Sequence, residues 1–203
     1  MRYGVFYNYQ LLGDVLLIDL VDLPAEREEI RGEIHVLYHG EQIVGYNIFQ
    51  ISKIVKIRAN GLIPLVDEKL LNVINSLLKK AELAPLPLLA DSGFCIGKIL
   101  TVEPHPESDH LHLTTVDIGS EILKIVCGAK NCKAGMMVPV AKVGTIMFDG
   151  TRIKETEVLG EKSYGMLCSS RELNLDQQSG LLELDHSYPL GSDFFQIGGN
   201  RHV

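Results

Sequence analysis

The 203-residue chain is predicted to fold as an α+β N-terminal domain followed by an all-β C-terminal domain, a five-stranded Greek-key barrel. Three observations predict this. Strand-like runs over the first sixty residues give way after Asp67 to a helical period, Pro85 and Pro87 stop that helix, and strand-like segments then recur at the spacing of a small barrel. A chain of this length holds two domains of about 100 residues, each large enough for its own core. The expected boundaries are 1–83 for the first domain, 84–92 for a proline-containing linker and 93–203 for the barrel.

Residues 14–21 (DVLLIDLV) and 33–38 (EIHVLY) are rich in β-branched, leucine and aromatic side chains and read as strands. His39-Gly40-Glu41 forms a turn, so residues 42–49 (QIVGYNIF) complete a hairpin, with 54–57 (IVKI) as an extension of the sheet and Asn60-Gly61 as a further turn. From Asp67, an N-cap residue, Leu70, Val73, Ile74, Leu77, Leu78 and Ala81 recur at three- and four-residue spacing, and Lys79-Lys80 sit at the negative end of the helix dipole. Such a stripe packs on the preceding sheet. Beyond Ala84-Pro85-Leu86-Pro87, strands are expected near 94–102, 111–118, 122–127, 136–142 and 151–158. In the first of these, Phe94, Ile96, Leu100 and Val102 alternate with Cys95, Gly97, Ile99 and Thr101, so one face enters the barrel, and Gly97 marks a bend or bulge. Residues 172–186 carry no clear period.

Composition narrows the function classes. Apolar residues make up 46% and charged residues 22%, and no apolar run reaches the roughly 20 residues that span a bilayer, so no membrane partner is expected. The first eight residues lack the apolar stretch of a secretory signal. Cys95, Cys127, Cys132 and Cys168 are dispersed, with no Cys-x2-Cys pair, which favours reduced thiols over a disulfide framework or a zinc site. The net charge of −7 divides between residues 1–92, with nine Lys/Arg against twelve Asp/Glu, and 93–203, with ten against fourteen. Any nucleic-acid site is therefore a local patch on an acidic background. There is no Gly-x-Ser-x-Gly elbow, phosphate loop or His-Glu-x-x-His, so no enzyme activity and no cofactor are expected.

Several segments carry candidate binding chemistry. After Pro104-His105-Pro106, residues Asp109, His110 and His112 cluster in sequence. Asp109 bonding to turn amides with solvated histidines is the simpler reading, and a metal site the sharper one. Cys127-Gly128-Ala129-Lys130-Asn131 ends a strand in small residues, either as a plain turn or as a place where a phosphate approaches and Lys130 and Asn131 donate to it. In Ser163-Tyr164-Gly165-Met166, Ser163 offers a hydrogen bond, Tyr164 a stacking face and Met166 a soft apolar contact. The alternative is a buried strand with Met166 and Leu167 in the core.

Phe94-Cys95-Ile96-Gly97-Lys98-Ile99, His105 to Leu111, Val116-Asp117-Ile118-Gly119, Ile125 to Asn131 and Ser163 to Ser169 stand in the order found in the EMAP-II-type tRNA-binding domain, which resembles an OB-fold. The resemblance covers about residues 93–203. An N-terminal α+β domain joined to one such barrel resembles the bacterial YtpR family of stand-alone proteins, whose barrel is similar to that near the start of the phenylalanyl-tRNA synthetase β subunit. The resemblance implies a non-catalytic, cytoplasmic tRNA-binding protein that reads tRNA shape and backbone without DNA specificity, and a homodimer, since related barrels often pair. The family's Ser-x-Gly-Met element contacts tRNA through its hydroxyl and methionine, which implies Ser163 and Met166 here, and His110, Lys130, Asn131, Lys142, Lys154 and Tyr164 are the further candidate contacts.

Two departures weaken the charge of that site. His110 stands where the family carries a lysine, and Leu159-Gly160-Glu161 replaces its Arg-Gly-Val, removing about two phosphate contacts and adding a repelling carboxylate. Lys98, Lys130, Lys142, Arg152, Lys154 and Lys162 remain as donors. The second reading is a protein-interaction module with a degenerate tRNA-binding barrel. The expected cytoplasmic location would be contradicted by recovery of the protein mainly in a secreted fraction.

Overall fold

Tyr3, Val5 and Tyr7 alternate on one face and are buried, which makes a strand of the first described residues, β1 (Gly4–Tyr7). A computed structural model describes residues 2–197, and the chain divides after Ala90 into two units. The first continues through α1 (Tyr9–Leu12), β2 (Val15–Asp19), β3 (Arg27–Arg31), β4 (Ile34–His39), β5 (Gln42–Phe49), β6 (Gly61–Leu62) and α2 (Glu68–Lys80). Its six strands form one antiparallel sheet in the order β3-β4-β5-β2-β1-β6.

Helix α2 starts where Asp67 accepts the amide hydrogen of Leu70 at 2.7 Å, and ends in Lys79 and Lys80. It buries Leu70, Leu71, Ile74 and Leu78 against Val5, Leu16, Ile18, Val36 and Ile48 of the sheet. Leu83 and Leu86 join the same core, and the Asn75 side chain both donates to the Leu86 carbonyl and accepts its amide, at 2.9 and 2.7 Å. The expected α+β class is what this unit shows. Residues 54–57, however, are not a strand. Gln50 takes a left-handed backbone (φ 55°) and Ile51–Lys53 forms a 3-10 turn, so the chain leaves the sheet before Ile54. Strand β3 has no strand-like pattern in the sequence because its residues, REEIR, carry the charges that guard a sheet edge, with the Arg27 guanidinium 3.8 Å from the Tyr38 ring centre.

Asp14 ties the β1–β2 connection to that 3-10 turn. Its carboxylate accepts from the Ser52 hydroxyl (2.6 Å), the Ser52 amide (3.0 Å) and the Tyr7 hydroxyl (3.2 Å). Desolvation opposes ionisation of Asp14, but these donors and the Lys53 charge outweigh it and hold the carboxyl below its ordinary range.

The second unit contains β7 (Phe94–His105), β8 (Ser108–Asp117), β9 (Ile122–Cys127), β10 (Met137–Lys142), β11 (Thr156–Val158), β12 (Glu161–Ser163), β13 (Gly165–Leu167) and α3 (Phe194–Ile197). The main sheet runs β13-β10-β7-β8-β9. Its ends meet where the Tyr164 amide donates to the Lys124 carbonyl at 2.8 Å and the Val126 amide donates to Ser163 Oγ at 3.1 Å. Numbered by their place in the barrel, the strands run 1-2-3-5-4-1, the Greek-key order of an OB-fold. The fifth strand is Gly165–Leu167, not the expected 151–158. Thr156–Val158 instead pairs with Glu161–Ser163 in a separate hairpin, turned by Leu159 and Gly160 in left-handed conformations. The last six residues of the expected 93–203 span lie outside the described residues.

Strand β7 is buried on both faces over residues 94–97, contrary to the single inward face expected. Cys95 and Ile99 enter the barrel core with Val116, Ile125, Val138 and Val140, while Phe94 and Ile96 meet a second core of Met137, Met147, Leu173, Leu184 and Phe195. The segment after β13, without a period of its own, supplies that outer cover. Gly97 marks close approach and no bulge, since a Cβ there would lie 2.6 Å from Val140 Cγ2 and 2.9 Å from Val116 Cγ1. The register shifts come between Ile99 and Thr101 and between Pro104 and His105.

The depressed Asp14 carboxyl gives a sign for acid stability. A folded value below the unfolded one (about 3.9) stabilises above that value and is lost as pH falls through the folded one. Asp14→Asn should lower the urea midpoint of the N-terminal unit at neutral pH and flatten its decline on acidification.

Candidate nucleic-acid interface

Along β8 and β9 the burial alternates, so Thr114, Val116, Ile125 and Cys127 point into the barrel while Thr115 and Lys124, a cross-strand pair, and Leu113 and Val126, the next outward pair, face away from it. The segment after β12 lies along this edge. Ser163 turns inward and is 4% exposed, so the neighbouring Tyr164 turns outward and is half-buried beside Lys124.

Two predicted site residues, Ser163 and Asn131, hold the edge together with Gly165. Ser163 Oγ accepts from the Val126 amide and donates to the Gly165 carbonyl at 3.3 Å, so its hydroxyl serves the seam between β9 and β13. Gly165 has φ 146°, and a Cβ there would stand 2.9 Å from the Ala141 carbonyl oxygen, which lets β13 lie against β10. Asn131 Nδ2 donates to the Leu181 carbonyl at 3.0 Å and its Oδ1 accepts the Leu181 amide at 2.8 Å, so the side chain clasps the covering segment as a strand would. Met166, paired with Ala141, is half-buried against the outer core.

The cations are distributed unevenly. Lys142 lies opposite Gly165 and pairs with Asp91 at 3.3 Å. Lys162 pairs with Glu155 at 3.1 Å, and that hydrogen bond, with the nearby Tyr164 ring and Glu157, raises its ammonium above the usual lysine range. Lys98, Lys124 and Lys130 are exposed and make no ion pair among the described residues. Lys154 is exposed in the connection leading to β11. Sequence reasoning passed over Lys124, although its outward place in the alternation of β9 was available as a signal.

His110 is exposed near the tip of the β7–β8 hairpin, its amide bonded to Ser108 Oγ at 3.2 Å. The turn bond expected of Asp109 is made by others, because His105 Nδ1 accepts the Glu107 amide at 3.1 Å. His105 Nε2 lies 3.2 Å from the Val158 carbonyl, which only accepts. Both bonds together require a neutral ring with its proton on Nε2. This buried imidazole joins the β7–β8 tip to the β11–β12 hairpin, the two loops that flank the outward face of an OB-fold.

The fold and this edge define a single OB-fold barrel carried behind a separate α+β unit. Residues 94–193 match the family described as "Putative tRNA binding domain", and residues 29–88 match a domain of unknown function, DUF4479. The "Putative tRNA-binding protein YtpR" of Bacillus subtilis (strain 168) is 36% identical over 198 residues, covering 94% of this chain and 98% of that one. The chain belongs to the YtpR family of stand-alone tRNA-binding-domain proteins. The phenylalanine–tRNA ligase β subunit of Aromatoleum aromaticum (strain DSM 19018 / LMG 30748 / EbN1) is 44% identical over 132 residues, which cover 64% of this chain but only 16% of the subunit. Among solved structures, the C-terminal domain of Plasmodium vivax p43 aligns with a TM-score of 0.37 and 25% identity over 51% of this chain and 61% of that one.

Asn131→Ala leaves the Leu181 amide and carbonyl without their partner. It should lower the stability of the C-terminal unit by about 1–3 kcal/mol, read from its denaturant midpoint.

Proposed function

We propose that the protein is a non-catalytic tRNA-binding protein whose OB-fold reads tRNA shape and backbone. The observation that carries this is the placement of Tyr164, half-buried with its amide bonded to the Lys124 carbonyl, with the Lys162 ammonium near its phenol group and Lys142 opposite the next residue. An aromatic face with lysines around it suits a strand of nucleic acid, since any base stacks on the ring and the cations meet the phosphates. The family membership supports RNA over other polyanions.

In this reading the eight residues divide their work. Tyr164 contacts the RNA, Lys130, Lys142 and Lys154 set the local field, and His110 lies at one flank. Ser163 and Asn131 shape the surface through their own backbone partners, and Met166 backs it from the core side. Lys124 joins them. The net charge of −7 makes the attraction short-ranged, so two sites in a homodimer would gain in avidity what one lacks. A cytoplasmic location places the protein with its RNA.

The test is binding of unfractionated tRNA to the purified protein by fluorescence anisotropy at two salt concentrations. Tyr164→Ala should weaken binding by about 1–3 kcal/mol, tenfold or more in Kd. Lys124→Ala and Lys130→Ala should each weaken it for all tRNAs and reduce the salt slope by about one. Absence of binding at low salt would discard this reading in favour of the protein-interaction module. Sedimentation of the same sample at micromolar concentration checks the homodimer, and a monomer mass removes it.

A further inference from the structure

The four thiols, all free, are of two kinds. Cys95 and Cys168 sit in separate core clusters, and burial pushes Cys95 up to about 11 and Cys168 higher still. Cys127 and Cys132 instead stand at the two ends of one tight turn. Cys127 is the last residue of β9, the Ala129 amide donates to its sulfur at 3.4 Å, and the Cys132 amide folds back onto the Ala129 carbonyl at 3.2 Å. Both side chains are buried in the same barrel core, close enough for the two thiols to influence each other's ionisation. The Cys132 thiol and the Ala129 amide lower the Cys127 thiol against the cost of burial, while Cys132 is raised by the same pairing and by burial.

An unpartnered polar atom lies on the same pair of strands. His112 is the register partner of Cys127 across β8 and β9, so the two side chains leave the same face of the sheet with Cβ atoms about 5 Å apart. Its Nδ1 is buried and has no hydrogen-bond partner among the described residues. A buried imidazole nitrogen without a partner is costly unless something uses it. Between the two buried cysteines Gly128 and Lys130 are exposed, so the turn that joins them reaches solvent.

We propose that Cys127 and Cys132 form an oxidisable dithiol that a hydroperoxide converts to an intramolecular disulfide. The Cys127 sulfur, its proton released to solvent, attacks the terminal peroxide oxygen. The O–O bond breaks, the alkoxide or hydroxide takes a proton back from solvent and leaves as alcohol or water, and Cys127 becomes the sulfenic acid. The Cys132 sulfur then attacks the Cys127 sulfur. The S–O bond breaks, hydroxide takes the Cys132 proton and departs as water, and the S–S bond closes. In sum two thiols lose two hydrogens and one hydroperoxide is reduced to alcohol and water. The product staples the turn that carries Lys130.

The experiment uses the full chain, hydrogen peroxide in small excess, alkylation of remaining thiols and peptide mapping by mass spectrometry. The expected result is loss of two of the four thiols, a link between Cys127 and Cys132, and its reversal by dithiothreitol. Cys132→Ser should stop at a dimedone-reactive sulfenic acid on Cys127. Persistence of all four thiols, or loss spread over Cys95, Cys168 or links between chains, overturns the proposal. None of these readouts depends on tRNA.

Discussion

The barrel depends on its last seam. Four strand pairs of the β13-β10-β7-β8-β9 sheet are ladders, but β9 meets the segment leading into the fifth strand through two hydrogen bonds, from the Tyr164 amide to the Lys124 carbonyl and from the Val126 amide to the Ser163 hydroxyl. Without them β9 would be an open edge with buried donors unmet, and an unmet buried donor costs about 1–3 kcal/mol. The same two contacts decide which way the motif faces. Ser163 is drawn inward as a seam bond, and period-two alternation then sends Tyr164 outward. Closure of the fold and presentation of the ring are one event.

Around that seam the second unit is a barrel with one side covered. An isolated small barrel would alternate buried and exposed positions along β7, but Phe94 and Ile96 are buried as deeply as Cys95. The covering segment is fastened at separated points. Asn131 clasps Leu181, Leu184 bridges to Met137, and Asp193 bridges to Cys95 and accepts from the amide and hydroxyl of Ser92. These are single-residue fastenings and leave no periodic trace, which is why residues 172–186 looked featureless while holding a core in place. The outward face of β8 and β9 stays uncovered.

Legibility in the sequence followed the same division. Regular elements with strong periods were readable: α2 with its Asp67 cap, the β4–β5 hairpin, and the first four barrel strands to within a few residues. The fifth strand was misplaced because Thr156–Val158 and Glu161–Ser163 form a better local hairpin than the three-residue β13, whose place is set by β10 and by Gly165. Strand β3 was missed because an edge strand replaces alternation with charge. At the candidate site the residue types were legible but their directions were not. Asn131 and Ser163 carry the donors that a phosphate would want, and long-range backbone partners take them instead. Lys124 carries one too, and only the backbone bond between β9 and the Tyr164 segment reveals that the two residues are neighbours.

An interface built this way shifts the meaning of its motif. If Ser163, Gly165 and Asn131 act mainly on their own chain, then the Ser-x-Gly-Met pattern specifies a shape, and the variable residue inside it, Tyr164, meets the partner. Charge then behaves as an adjustable field around a fixed platform. Lys142 and Lys162 are already neutralised in part by Asp91 and Glu155, and Glu161 stands where a cation would have helped. Exposed ion pairs of this kind are worth little and are screened by salt, so either lysine can leave its carboxylate for a phosphate at small cost. The acidic surroundings therefore restrict the surface to partners that also offer a stacking face, because a polyanion without bases meets the repulsion and gains nothing from the ring.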